Sequence, residues 1–377
     1  MLIHEQKSDT DVVGAISAST AINGIPFTFS DLLKATSKCK KDVIWKDSVA
    51  GFVKNRLINC LRLMEELQSG TYRLSRYSIF KIYEPKERTI VATGMRDRVV
   101  QRALCDTYLY KQLTKGFIYD NWACQIGKGT TKCRKRLAVL YQKFYRKHGT
   151  KGYILKLDIK NYFGSTPHEV AKAAIAKRVD NEWVKNYVFT LIDSFAKVFG
   201  KPEGIGLGSQ ISQLIELSVL DDLDHFIKEK LKVKYYMRYM DDMLLISESK
   251  EQLNYYKKVI VEELAKLGLK ISEKKTTISK LTQNIHFLGF SYRLTETGHV
   301  DMRLIPDKFS RERTKLRKQS KIFTRRKLHD SFIAWKSNAK QGDTYKAIQK
   351  MNAFYYTLER KTYVKINYIG KTCYERI

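Results

Sequence analysis

The chain has 377 residues, 70 Lys+Arg against 39 Asp+Glu, and a formal net charge of +31. A chain of this length buries roughly three quarters of its unfolded surface, and a hydrophobic content of 43% supplies the core, so global disorder is excluded. The positive excess needs a polyanion, and nucleic acid ranks ahead of an anionic membrane because no lipidation motif or basic amphipathic anchor stands in the sequence. Six cysteines without a C-x-x-C pair point to reduced thiols rather than a disulfide or zinc framework. With no leader-like N-terminus and no membrane-length apolar run, the expected location is cytoplasmic.

Residues 1–30 carry no period and read as an N-terminal extension. Over 31–69 the apolar residues Phe52, Val53, Leu57, Ile58, Leu61, Met64 and Leu67 recur at three and four, as on one helix face, until Gly70. Residues 77–84 alternate like a strand that Pro85 ends, and 88–93 form its returning partner. Helices are predicted over 97–111 and 133–147, then a short apolar strand over 153–159. Residues 168–199 read as largely helical. The turn Gly204-Ile205-Gly206-Leu207-Gly208 leads into one long helix over 209–230. Strand halves at 234–240 and 243–247 flank Asp241-Asp242, followed by a helix over 250–267 and strands near 269–278 and 284–292. Residues 301–377 hold 20 Lys+Arg against 7 Asp+Glu, and 308–327 hold ten basic residues with one acid, Glu312. This stretch reads as a basic helical domain. The irregular alternation of strands and helices favours an α+β architecture over a doubly wound sheet.

Two adjacent carboxylates between apolar strand halves repel each other unless something neutralises them, so Tyr239-Met240-Asp241-Asp242 suggests either a divalent-cation site or a solvated turn. Asp158 ends an apolar strand, where a charge is costly unless paired or metal-bound. If the two strands are neighbours, three carboxylates meet at one rim, the donor set that two Mg²⁺ ions need for phosphoryl displacement. Gly127-Lys128-Gly129-Thr130 lacks the order of a P-loop, and the 204–208 glycines miss the third glycine of a dinucleotide fingerprint. His168 and His286 have no triad partner and read as structural or surface residues.

Eight segments in order make the chain resemble bacterial reverse transcriptases of the group II intron lineage: Pro85-Lys86-Glu87-Arg88; Arg96-Asp97-Arg98-Val99-Val100-Gln101; Phe117-Ile118-Tyr119-Asp120 with Gly127-Lys128-Gly129-Thr130; Leu157-Asp158-Ile159-Lys160-Asn161-Tyr162-Phe163; Gly208-Ser209-Gln210-Ile211-Ser212-Gln213; Tyr239-Met240-Asp241-Asp242; Gly268-Leu269-Lys270 through Lys275-Thr276; and Phe287-Leu288-Gly289-Phe290. The resemblance implies a right-hand α+β polymerase. Its parts would be an extension over 1–30, fingers over 31–150 with inserted helices at 166–203, a palm over 151–165 and 204–295, and a basic helical thumb over 296–377. It implies RNA-directed DNA synthesis with two Mg²⁺ ions, Mn²⁺ being a substitute. The metals would lie on Asp158, Asp241, Asp242 and the Ile159 carbonyl, with Lys275 as proton donor to pyrophosphate, Lys274 standing beside it as the alternative. The incoming dNTP would meet Lys86, Arg88, Asn161, Tyr162, Leu207, Gly208 and Gln213, with Phe163 as the gate against ribonucleotides. Phe287, Leu288 and Gly289 would grip the primer, and Arg311, Arg313, Lys315, Arg317, Lys318, Arg325 and Arg326 would hold the nucleic-acid backbone.

The Ser212-Gln213 ending, in place of Ser-Pro, resembles enzymes of diversity-generating retroelements and of phage defence, and Leu207 replaces a Gln of the intron-encoded enzymes. The expected partners are an RNA template such as a cognate noncoding RNA, a DNA or RNA primer and dNTPs, with a second copy or an accessory protein left open and no membrane. Antiviral defence is the expected setting, and error-prone retroelement synthesis the alternative. A template-independent or RNA-synthesising nucleotidyltransferase and a non-catalytic RNA scaffold are the readings of other classes.

Overall fold

The structure is a computed structural model and describes residues 24–83 and 87–374, with side chains to residue 360. Lys86 and most of the expected N-terminal extension lie outside the described residues. Helices α1 (Phe29–Cys39), α2 (Asp47–Lys54) and α3 (Arg56–Gln68) come first. A capping box starts α1: Thr28 Oγ1 accepts from the Asp31 amide, and the Asp31 carboxylate accepts from the Thr28 amide at 3.0 Å. The apolar stripe expected over 31–69 is corrected in α3, where Cys60, Leu63, Met64 and Leu67 are buried while Leu57, Ile58 and Leu61 are exposed. This helix is apolar on two faces, and periodicity alone does not choose between them.

Strands β1 (Ser78–Ile82) and β2 (Arg88–Ala92) pair antiparallel, with Ile82 opposite Arg88. Helix α4 (Met95–Leu104) passes through a widened turn at Cys105–Leu109 into α5 (Tyr110–Thr114). Asp97, buried in α4, accepts from the Tyr72 hydroxyl at 2.7 Å and the Ser75 amide at 2.9 Å. Next come α6 (Thr130–His148), β3 (Tyr153–Asp158), α7 (Tyr162–Ser165), α8 (His168–Ala176), α9 (Glu182–Ser194) and α10 (Ala196–Phe199). The expected long helix is divided into α11 (Gln210–Val219) and α12 (Asp221–His225), with a widened turn at Phe226–Lys230. Leu220, at φ −97° and ψ 3°, leaves helical geometry between them.

Strands β4 (Tyr235–Tyr239) and β5 (Asp242–Ser247) precede α13 (Lys250–Lys266) and β6 (Thr277–Lys280). The four-stranded sheet has the order β4-β5-β3-β6, and β3 pairs antiparallel with β6, Tyr153 opposite Lys280. Most of the strand expected over 269–278 is instead a loop bonded to the end of β3, with Ser272 N on Asp158 O at 2.7 Å. A second sheet, β7 (Ile285–Phe287), β8 (Phe290–Leu294) and β9 (Val300–Leu304), is a meander. Helices α14 (Pro306–Gln319), α15 (Arg325–Ala339) and α16 (Tyr345–Tyr374) follow.

The chain divides into two compact units. The first comprises residues up to 127, 157–243 and 255–276, and in it α1 packs on α3 and α4 while α11 packs on α8, α4 and α5. The second comprises 128–156, 244–254 and 277–377. There α14, α15 and α16 enclose a core of their own, built from Leu316, Leu328, Phe332, Met351 and Tyr355. The rings of Phe332 and Tyr355 stack at 4.1 Å. No helix among the described residues is long and apolar enough to cross a membrane.

Candidate active site

The first unit brings Asp158, Asp241, Asp242 and Lys275 together. Asp158 ends β3, the run Tyr153-Ile154-Leu155-Lys156-Leu157 carrying it there by apolar burial. Asp241 follows β4, and Asp242 opens β5. The Ile159 amide lies 3.4 Å from the Asp241 carbonyl, which ties the end of β3 to the β4–β5 turn. Lys275 stands on the loop after Ser272, with its own amide bonded to Ser272 O at 3.0 Å, and its ammonium forms an ion pair with Asp158 Oδ1. Asp158 is 7% exposed at the side chain and Lys275 43%, so the pair opens to solvent on the lysine side.

Burial pushes the Asp241 carboxyl up to about 6, and the negative charges of Asp242 and Asp158 add to it against the opposing charge of Lys275. Met240 takes a left-handed φ of 57° immediately before this carboxylate. For a non-glycine residue that conformation costs on the order of 1 kcal/mol.

The turn leading to α11 closes against β2. Val91 N donates to Leu207 O at 2.9 Å. A Cβ on Gly206 would meet the Phe195 ring at 2.4 Å, and one on Gly208 would meet Val91 O at 2.8 Å, so both positions need glycine. Ser209 caps α11 by accepting from Ser212 N at 3.0 Å. Gln213 is half-buried on that helix, Asn161 is exposed at the start of α7, and Phe163 is half-buried beside it. Tyr162 differs from the expectation. Its ring is buried, and its hydroxyl donates to the Glu216 carbonyl at 2.6 Å, because the left-handed Asn161 turns the chain inward there. Arg88 is exposed at the start of β2.

In the second unit, Leu288 and Gly289 form the β7–β8 turn with φ values of 42° and 93°. The Phe287 ring, expected against nucleic acid, is buried instead, since β7 alternates and places it on the core face near Tyr292. The Leu288 carbonyl accepts from Arg134 Nε at 3.0 Å and Nη2 at 2.6 Å. Arg311, Arg313, Lys315, Arg317 and Lys318 are exposed on α14, and Arg325 and Arg326 on α15. The Arg313 and Arg317 guanidiniums lie over the Phe354 ring at 4.5 and 5.6 Å, while Arg325 pairs with Glu359 at 2.8 Å.

Two buried groups near the carboxylates were not foreseen. Glu216, on α11, accepts from Thr166 Oγ1 at 3.0 Å, and burial pushes it up to about 8, with Asp241 adding to the rise. Arg238, on β4, pairs with Asp224, both side chains being fully buried. A readable signal did exist for the second: an arginine inside the apolar run Tyr235-Tyr236-Met237-Arg238-Tyr239 demands a buried acid.

Residues 84–292 match the family model for reverse transcriptase (RNA-dependent DNA polymerase). No curated protein matches the chain. Among solved structures, apo telomerase from Candida tropicalis aligns at 15% identity and a TM-score of 0.49, over 79% of this chain and 59% of that one. Its form truncated of the C-terminal domain gives 14% and 0.46, over 66% and 60%. Telomerase from Candida albicans in complex with a fragment of telomeric RNA gives 12% and 0.48, over 77% and 59%. The chain therefore spans about three fifths of the length of these telomerases. The family match extends over more than half of the sequence and encloses Asp158, Asp241, Asp242 and Lys275, and the chain belongs to the reverse transcriptase family.

Proposed function

We propose that the chain is an RNA-directed DNA polymerase that extends a primer 3′-hydroxyl with dNTPs on an RNA template. The observation that carries this reading is the main-chain bond from Ile159 N to Asp241 O, which sets the end of β3, with Asp158, beside the β4–β5 turn that carries Asp241 and Asp242, inside the family match.

The donor set fits a hard divalent cation. All the donors are carboxylate or carbonyl oxygens, and the burial and like-charge crowding that raise Asp241 are offset by a cation. Among the described residues no three His, Cys, Asp or Glu side chains already converge as an ion cage, and the Lys275 ammonium supplies the positive charge at Asp158. Asp158, Asp241, Asp242 and the Ile159 carbonyl would hold Mg²⁺, or Mn²⁺ in its place, which when bound acidifies the 3′-hydroxyl and neutralises the triphosphate.

The chain's own residues do the rest. Arg88, with Lys86 before it, holds phosphate oxygens, a guanidinium fork suiting that geometry. Asn161 and the main chain at Leu207-Gly208 line the nucleotide's path, with Gln213 behind them. Phe163 excludes a 2′-hydroxyl by bulk. Lys275 Nζ gives a proton to the departing pyrophosphate. The Leu288-Gly289 turn supports the primer end, and the basic face of α14 and α15 holds the backbone without reading sequence.

We assign the enzyme to the group II intron-like bacterial lineage and to antiviral defence, with a cognate noncoding RNA as template. Support comes from the N-terminal extension and from Gly206 and Gln210, which differ from the usual turn of retroelement enzymes, Ile-Pro-Ile-Gly-Ser/Asn-Leu-Thr-Ser-Gln. The test is dNTP incorporation on an annealed RNA template–DNA primer with Mg²⁺. Template-matched extension that falls to background in Asp241→Ala/Asp242→Ala is the expected result. Incorporation that ignores the template, or that survives in the double variant, overturns the reading.

A further inference from the structure

Arg238 sits on β4 three residues before Asp241, and its side chain is fully buried. Its fork closes on Asp224 of α12, equally buried: Nε reaches Oδ1 at 2.8 Å and Oδ2 at 2.9 Å, and Nη2 reaches Oδ2 at 2.6 Å. Tyr236 adds its hydroxyl to Asp224 Oδ1 at 2.5 Å. The guanidinium also reaches main chain, Nη1 donating to Met240 O at 3.1 Å and Nη2 to Leu217 O at 3.2 Å. The backbone of Arg238 is pinned as well, its amide on Asp120 O and its carbonyl under Trp122 N, each at 2.9 Å. Every part of this residue is fixed, and one arm of it ends on the carbonyl that precedes Asp241.

Met240 is left-handed, a conformation that a methionine does not choose unaided. The two-residue hairpin turn favours such a φ at this position, and the bond from Arg238 Nη1 adds a fixed anchor on the Met240 carbonyl. A buried ion pair is a weak source of stability, since desolvation offsets the attraction and well-packed apolar residues serve as well. Its rigid fork is better suited to fixing geometry. A lysine offers one point charge and cannot bind a carboxylate in two places while holding a separate carbonyl.

We propose that Arg238, locked by Asp224, is the positioning residue of the Met240-Asp241-Asp242 turn: its guanidinium holds the Met240 carbonyl and so sets the directions in which the Asp241 and Asp242 carboxylates point. Arg238 touches neither nucleotide nor metal in this account. The inference rests on the reading of those carboxylates as metal-holding groups.

Three readouts test it: Mn²⁺ binding followed by electron paramagnetic resonance, amide hydrogen exchange over residues 239–243, and single-nucleotide incorporation resolved into kcat and KM. Arg238→Met/Asp224→Leu removes both charges and keeps apolar packing. It is expected to melt near the wild-type temperature, to exchange faster over 239–243 and to bind Mn²⁺ roughly 10–100-fold more weakly. Its kcat should fall by a similar factor while the dNTP KM stays near wild type. Arg238→Lys, which retains a charge for Asp224 but not the reach to Met240, should show the same pattern in milder form and serves alone if the double variant does not fold. Folded variants with wild-type exchange, Mn²⁺ affinity and kcat overturn the proposal. If the wild type incorporates no nucleotide, the polymerase reading fails on its own, and the Mn²⁺ and exchange measurements still decide the role of Arg238.

Discussion

Glu216 is a carboxyl group placed where its charge is least welcome. Burial and the neighbouring Asp241 keep it protonated up to about pH 8, against 4.5 for the ordinary side chain. A folded-state value raised in this way makes stability greatest below about pH 4.5, where both folded and unfolded chains hold the proton. The stability is then lost as the pH rises toward 8, because only the unfolded chain releases the proton readily. Glu216→Gln, which keeps a donor and an acceptor but cannot ionise, should therefore flatten the decline of melting temperature between pH 5 and pH 8 in chelator. The gain at pH 8 should be on the order of a few kcal/mol at most. Parallel melting curves for the two proteins would show that Glu216 does not titrate in this range. The carboxylates at 158, 241 and 242 were legible in the sequence because their motifs have fixed spacing. Glu216 was not, since one acid in a helical run reads as a solvated face until the packing of Tyr162 and Thr166 around it is known.

Among the elements, the joint between β2 and the turn before α11 is the least tolerant. Gly208 has φ +147° and its missing Cβ faces Val91 O, so Gly208→Ala adds both backbone strain and a clash with main chain. The expected cost is about 1–3 kcal/mol, read as a lower midpoint in urea with an unchanged slope. A midpoint equal to wild type would mean that the turn shifts freely. Element types were largely readable. The hairpin at 78–92, the strand at 153–158 and the β4–β5 pair stand where alternation and turn chemistry put them. Two things were not. The buried face of α3 was misplaced because its apolar residues encircle the helix, and tertiary packing chooses the side. The break at Leu220 carries no glycine or proline, and a buried leucine at a non-helical position leaves no mark in composition.

For the whole molecule, a net charge of +31 makes salt the strongest lever on binding. A protein that neutralises six to ten phosphates loses roughly 10³–10⁵ in affinity between 50 and 200 mM salt, and on the polymerase reading proposed above the affinity of this chain for an RNA–DNA duplex should fall comparably. Arg311→Ala, on the exposed face of α14, should lower the salt slope by about one while leaving the melting temperature near wild type. A slope that does not change would remove Arg311 from the phosphate path. The basic segment was visible in composition, but its core was not, because Phe332 and Tyr355 stack only when two successive helices fold back on each other.

The pairing of β3 with β6 sets a timetable for synthesis. Tyr153 finds its partner Lys280 only after well over a hundred further residues have left the ribosome. Until then the strand that carries Asp158 lacks the neighbour that completes its edge, and long-range closure of this kind is slow and exposes unpaired edges. A stalled or cleaved product ending before residue 277 would lack β6 as well as Lys308, Arg311 and the other basic residues of α14. The acids at 158, 241 and 242 are therefore translated before the strand that completes their sheet.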